Sequence, residues 1–258
     1  MWASTLKRYA GIVFYRTLAG IKSEGRQNYL GYLWFLLEPM LSTLVLYIAF
    51  SQITGKGGPD YVVFLILGMI TWQWFESSCM LGATAIKAKY GVLTQFNLPK
   101  YIFPIVSIMV NTWKFLCVFV VILVTATLFG YPPNFHYVYL PGLMLLQLLL
   151  IIGVTLPLTI GATLMNDLLT VVSSIFRLLF FLSGIFFDST LVPENLKSLF
   201  YANPMAVFIE SYRMVVLHNQ PPQMTHLAGA GVTSTVFLIF GIILHAYYDK
   251  KILKLTNV

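Results

Sequence analysis

From Val138 to Leu164 the chain runs for 27 residues without a single charge. A helix rises about 1.5 Å per residue and the hydrocarbon core of a bilayer is roughly 30 Å thick, so about 20 such residues suffice to cross it. Five further stretches are almost as apolar, four of them with a single charge each: Leu33 to Ile53, Tyr61 to Ala85, Ile102 to Phe129, Leu168 to Phe187 and Leu227 to Tyr247. Glycine, proline and polar segments separate them, as in Gly55-Lys56-Gly57-Gly58-Pro59-Asp60 and Gly130-Tyr131-Pro132-Pro133-Asn134. Charged residues make up 10% of the 258 residues and hydrophobic ones 58%, whereas a soluble domain is roughly 25% charged. Folding in water buries only about three-quarters of the surface of a chain this long, so the apolar excess must face lipid. A soluble enzyme, a disulfide scaffold and a disordered chain are thereby excluded. Spans must satisfy their own backbone hydrogen bonds, which leaves helices or closed barrels. The run from Leu143 to Ile152 lacks the alternation of barrel strands. The expected fold class is all-α, a polytopic membrane protein of six transmembrane helices in one domain, 1–258.

The net charge of +7 is read as an address. Six spans put both termini on one side. Lys7, Arg8, Arg16, Lys22, Arg26, Lys87, Lys89, Lys100, Lys250, Lys251 and Lys254 then share that side, against Lys56, Lys197 and Arg213 on the other. Basic residues mark the cytoplasmic side, so both termini are expected there. Basic residues scattered through the leading segment, 1–30, are unlike the compact basic start of a signal peptide. From Thr5 to Ile21 they mix with apolar positions that share a broad helical arc, which predicts an amphipathic helix in the cytoplasmic interface. Between the fifth and sixth spans, 188–223 is too apolar for a free loop and is broken by Pro193 and Pro204. Two short helices, Glu194 to Ala202 and Met205 to Leu217, are expected as a re-entrant pair at the outer face. Irregular backbone is tolerated at membrane depth only where protein or a water-filled cavity covers it, which points to a conduit.

Nothing in the chain suggests catalysis. There is no GxxxxGK[ST] phosphate loop and no GxSxG elbow, and Asp188 and Glu194 make no evident acid–base pair. Cys79 and Cys117 lack metal or redox spacing and are expected as small core residues. The four histidines form no ligand motif. No nucleic-acid partner and no metal are expected.

Three stretches carry a resemblance: Leu30-Gly31-Tyr32-Leu33-Trp34 with Glu38-Pro39, the segment Tyr90 to Lys100, and Asn203-Pro204 with Glu210 and Arg213. Together, in this order and spacing, they resemble the permease subunits of ABC exporters for capsular polysaccharide and O-antigen, with the capsular branch favoured. The resemblance implies a homodimer in the bacterial inner membrane with two separate ATPase subunits, which would hold ATP and Mg. It implies export of a lipid-linked polysaccharide, with periplasmic or outer-membrane partners meeting 188–223. It also implies that 86–101 is a coupling helix docking into the ATPase through Tyr90, Gly91, Val92, Leu93, Phe96, Leu98, Pro99 and Lys100. A permease of a small-molecule or drug exporter of similar fold is the second reading.

Candidate cargo residues follow. An intramembrane carboxylate or cation is costly and should face protein or water, which selects Glu38, Lys114 and Arg177. Arg177 is expected to face a dimer axis or to pair with Asp167 or Glu76. Arg26, at headgroup depth, suits a lipid phosphate, because a guanidinium binds phosphate through two parallel hydrogen bonds. Arg213 joins them from the third motif. Sugar C–H faces lie well on aromatic rings, which selects Trp34, Tyr47 and Phe50 on the first span and Phe176, Phe180, Phe181, Phe186 and Phe187 on the fifth. Each of these aromatics is equally an ordinary core, lipid-facing or interfacial-belt residue.

Overall fold

The helix Pro59–Ala88 is the most buried of the long apolar helices. In the computed structural model, which describes residues 2–27, 33–54, 58–89, 98–165 and 167–248, nine α-helices are found: α1 Trp2–Gln27, α2 Trp34–Thr54, α3 Pro59–Ala88, α4 Ile102–Leu128, α5 Leu140–Leu164, α6 Leu168–Leu182, α7 Glu194–Ala202, α8 Pro204–Val216 and α9 Met224–Tyr248. Short 3-10 turns at Phe135–Tyr139 and Ser189–Leu191 precede α5 and α7. No strand occurs among the described residues. Among the described residues five helices, α2, α3, α4, α5 and α9, are long and apolar enough to cross a membrane.

α3 touches α2, α4, α5, α6 and α8, and 72% of its apolar window is buried against 11% for α2. Three polar side chains tie α3 to α5. Gln147 Nε2 donates to the Thr71 carbonyl at 2.9 Å, Thr159 Oγ1 to the Gly82 carbonyl at 3.2 Å, and Thr155 Oγ1 contacts Cys79 Sγ at 3.5 Å. Lipid gives apolar faces no reason to seek each other, so small residues and interhelical hydrogen bonds hold such bundles. α5 and α9 show the small-residue half of that rule. A Cβ on Gly153 would lie 2.5 Å from the Leu238 nitrogen, and one on Gly241 would lie 3.1 Å from the Gly153 carbonyl oxygen.

Three sequence expectations change here. First, the amphipathic leading segment is a longer helix, and its second half runs beside α4. Arg16 lies over the Phe103 ring at 5.6 Å, a Gly20 Cβ would meet Val110, and Glu24 pairs with Lys114. Those contacts follow about 16 Å of α4 at 1.5 Å per residue. Second, the stretch expected as a fifth span to Phe187 stops being helical at Leu182. Gly184 takes φ +71°, a conformation other residues resist, and Ser183 to Phe187 form turns and bends. The fifteen helical residues reach about 22 Å. Third, Cys79 is buried but Cys117 faces outward.

Candidate functional site

The apolar pieces between α6 and α9 are helices α7 and α8, and α8 is buried along most of its length. The motif Asn203-Pro204…Glu210…Arg213 builds this outer segment. Asn203 caps α8 by accepting from the Met205 N–H at 3.0 Å, while its Nδ2 donates to Ser183 Oγ at 2.8 Å. Pro204 stands at the first helical position, where its missing N–H costs nothing. Glu210 accepts from Ser189 Oγ at 2.7 Å and from the Tyr201 hydroxyl at 3.2 Å. Arg213, 5% exposed, donates to three carbonyls: Nε and Nη2 to Phe64, both at 3.1 Å, Nη1 to Gly184 at 2.7 Å, and Nη2 to Ile185 at 2.8 Å. Gly68 leaves the space, since a Cβ there would lie 2.6 Å from Nη2. Expected as a cargo residue, Arg213 has its donors committed to the chain's own backbone. It clamps α8, the end of α6 and α3 together.

Beside the clamp, Asp188 accepts from the Thr190 N–H at 2.9 Å. Burial pushes its carboxyl up, but the hydrogen bonds from Thr190 and the charges of Arg213 and His218 outweigh this and hold it below the usual carboxylate range. A polar hollow of about 290 Å³ lies here, between Asp188, Glu210, His218 and Gln223.

α2 and α6 each leave a long apolar face uncovered. Met40, Leu41, Leu44, Val45 and Ile48 on α2 are exposed, as are Val171, Ile175, Leu178, Phe181 and Leu182 on α6. Arg177 is exposed on the same helix, with Ser174 nearby. Among the described residues no ion pair holds Arg177. Of its two expected partners, Glu76 instead accepts from Trp72 Nε1 at 2.8 Å. The candidate aromatics divide. Phe50 stacks on Phe186 with centroids 4.5 Å apart, Phe186 meets Phe180 at 5.1 Å, and Phe180 meets Trp72 at 5.9 Å. Phe176 is buried against Trp72 and Phe75, and Phe187 lies 6.1 Å from Phe200. Tyr47 accepts the Gly58 N–H at 3.1 Å through its hydroxyl. These rings fasten α2 and α6 to α3. Phe181 and Trp34 are exposed.

A second hollow, of mixed apolar and polar lining, opens between α2, α3 and α4. A cavity of about 300 Å³ is lined by Trp34, Glu38, Gln73, Ser77, Asn111 and Lys114, among others. Pro39 lies inside α2, where it removes a helical hydrogen bond and loosens the turn carrying Glu38. Lys114 pairs with Glu24 and stands 4.7 Å from the Phe35 ring centre. It thus does both things its position allows: it borders the cavity and it holds α1.

Of the expected coupling residues, Tyr90, Gly91, Val92, Leu93 and Phe96 lie outside the described residues. Leu98 and Pro99 are half-buried and Lys100 is buried. The Ile102 N–H bonds to the Pro99 carbonyl at 3.2 Å, which starts α4. Leu98 borders a groove with Lys7, Arg8, Ile12 and Arg16 of α1, so α1 lies against the exit of that segment. Arg26 is on α1, with its side chain outside the description.

From α1 to the end of α8, residues 15–217, the sequence matches the family model described as ABC-2 type transporter. The chain belongs to this family. Curated relatives match three-quarters or more of its length. It is 28% identical over 235 residues to the O-antigen export system permease protein RfbA of Myxococcus xanthus, covering 90% of each chain. It is 29% identical over 194 residues to a protein of that name from Klebsiella pneumoniae, covering 75% of each. To the polysialic acid transport protein KpsM of Escherichia coli it is 24% identical over 227 residues, covering 87% of this chain and 88% of the other. The ABC-2 type transporter assignment and the long apolar helices together make it an integral membrane protein.

Proposed function

We propose that this chain is the channel-forming permease of an ATP-driven exporter that moves lipid-linked polysaccharide, of the capsular or O-antigen type, across the bacterial inner membrane. The names of its relatives support the cargo. The observation that carries the channel is the bare face of α2 and α6, apolar but holding the exposed Arg177. A mid-helix guanidinium with no described partner is costly toward lipid, and a second copy of the chain placed against this face would enclose it beside water.

In this reading α6, prolonged by Ser183 to Phe187, makes the sixth crossing. α7 and α8 re-enter from the outside, and both termini lie in the cytoplasm with most of the basic residues. Segment 86–101 docks into the ATPase. ATP-driven motion there reaches α4 through Pro99 and α1 through the Leu98 groove, and the two protomers then part along α2 and α6.

The test is export in cells that build the glycan, with permease and ATPase supplied together. Glycan should reach the surface with the native chain and accumulate inside without it. Leu93→Asp and Phe96→Asp should each abolish co-purification of the ATPase. Surface glycan unchanged in the absence of the chain would refute the assignment.

A further inference from the structure

The cavity between α2, α3 and α4 belongs to one protomer and is separate from the α2–α6 face. Its lining mixes apolar walls, such as Phe35, Ile70 and Leu81, with Glu38, Asn111 and Lys114, and an acyl chain would leave the buried Asn111 amide without a partner. Asn111 is only 6% exposed, yet its Nδ2 has no hydrogen-bond partner. Glu38 has no ion pair among the described residues. The charge of Lys114 is already engaged by Glu24 and by the Phe35 ring. Among the described residues the uncompensated charge is therefore negative, which disfavours a phosphate. Trp34 and the stacked pair Trp74–Phe115, with centroids 4.1 Å apart, complete the wall.

A ligand satisfying all of these must be uncharged or cationic. It must offer hydroxyl donors to Glu38 and an acceptor to Asn111 Nδ2, and it must carry apolar C–H faces for the rings. A sugar ring does this. The volume, about 300 Å³, lies at the small end of ligand pockets and suits one ring better than a polymer. The cavity also shares Leu81 and Asn111 with a larger hollow bordered by Arg16, Glu24 and Lys89, on the side where the basic residues gather.

We propose that this cavity is a loading site for a single sugar ring of the glycan, approached past α1 before the polymer enters the channel. The proposal rests on the polysaccharide-export reading. Displacing Glu24 from Lys114 would open the path, which makes α1 the flap over the site.

The experiment uses the full permease–ATPase complex in cells making glycan from radiolabelled sugar. A photoreactive benzoylphenylalanine replaces Trp34 in the cavity, Leu145 on the lipid-facing surface of α5, or Phe181 on the open face. Illumination should yield a periodate-sensitive, radiolabelled adduct at position 34 and none at position 145. The adduct at 34 should persist when the ATPase is inactivated, because loading precedes hydrolysis. Glu38→Gln and Asn111→Leu, at unchanged complex abundance, should each lower it by about fivefold, the equivalent of one hydrogen bond. Glycan adducts at 181 without any at 34 would overturn the loading site and leave the export reading intact. So would an adduct at 34 that is lipid and not glycan, or one insensitive to both substitutions. Export that proceeds without this chain would instead remove the reading on which the site rests.

Discussion

Replacing Arg213 by Met keeps most of the side-chain length and removes every donor. The native guanidinium makes four hydrogen bonds to three carbonyls. The loss at Phe64 is small, because that carbonyl lies within α3 and is placed for its helical bond. The Gly184 and Ile185 carbonyls follow the end of α6, and among the described residues no backbone group donates to them. A buried acceptor deprived of its partner costs about 1–3 kcal/mol, with charge-assisted bonds toward the upper part of that range. Two such losses give about 3–5 kcal/mol, partly offset because a methionine escapes the cost of burying a charge. For a chain this long, that corresponds to roughly 10 °C in the thermal midpoint. Arg213→Lys should recover little, since an ammonium cannot span three carbonyls as a planar fork does. Gly68→Ala should produce a similar defect from the opposite wall, its Cβ standing where Nη2 now lies. Thermal unfolding in detergent measures the total, and amide hydrogen exchange localises it. Protection should fall at Gly184 to Phe187 and along α8 while α5 and α9 keep theirs. An Arg213→Met protein within about 1 kcal/mol of native, with unchanged exchange in that segment, would refute the clamp.

Three further perturbations follow from other contacts. Gly153→Val would drive a side chain into the backbone of α9 at Leu238, and overpacking with no flexible neighbour to yield should cost about 3 kcal/mol or more; Gly142→Ala, with open space around it, should leave the midpoint unchanged, and equal effects at the two sites would contradict the crossing. Glu24→Gln should strand the Lys114 charge and raise protease cleavage within α1, whereas Glu24→Gln with Lys114→Met should restore protection, because a half-removed ion pair costs more than an absent one. Asp188 has a folded pKa below its ordinary 3.8, so its contribution is fully present above about pH 4 and is lost as pH falls through the lower folded value; the native outer segment should therefore lose exchange protection in that acid range relative to Asp188→Asn, and identical acid profiles would refute the assignment.

The spans were legible because hydropathy over 20 or more residues is a sum, and sums tolerate local error. α3, α4, α5 and α9 all fall within about three residues of the sequence reading. The end of α6 was not legible. Ile185, Phe186 and Phe187 continue the apolar run, and what stops the helix is one glycine together with an arginine 29 residues further on. The path of α1 was hidden for a related reason. Its amphipathic arc suits a membrane surface as well as a neighbouring helix, and only the partners Phe103, Val110 and Lys114 distinguish the two. The Asn203-Pro204…Glu210…Arg213 motif was visible as a pattern, but its roles as cap, strut and clamp depend on Ser183, Ser189 and the Phe64 carbonyl. An N-cap followed by proline is the one part that spacing alone could have identified.

The ionisable residues inside the apolar spans sort by where they find company. Glu76 accepts from Trp72 one turn away, and Lys114 is answered by Glu24 from α1. Both lie where the protomer supplies neighbours. Glu38 and Arg177 have no ion-pair partner among the described residues, and both are exposed, on α2 and α6, whose outer faces the protomer leaves bare. A carboxylate or guanidinium held toward lipid costs at least about 2.5 kcal/mol at the bilayer centre. Arg177 on the uncovered face of α6 calls for water or a second protomer, whereas Glu38 opens into the cavity between α2, α3 and α4. Water in a shared channel would serve Arg177, and the hydroxyls of a cargo sugar would serve Glu38. A passive membrane scaffold would have no use for either charge, and leucine at both positions would make it more stable.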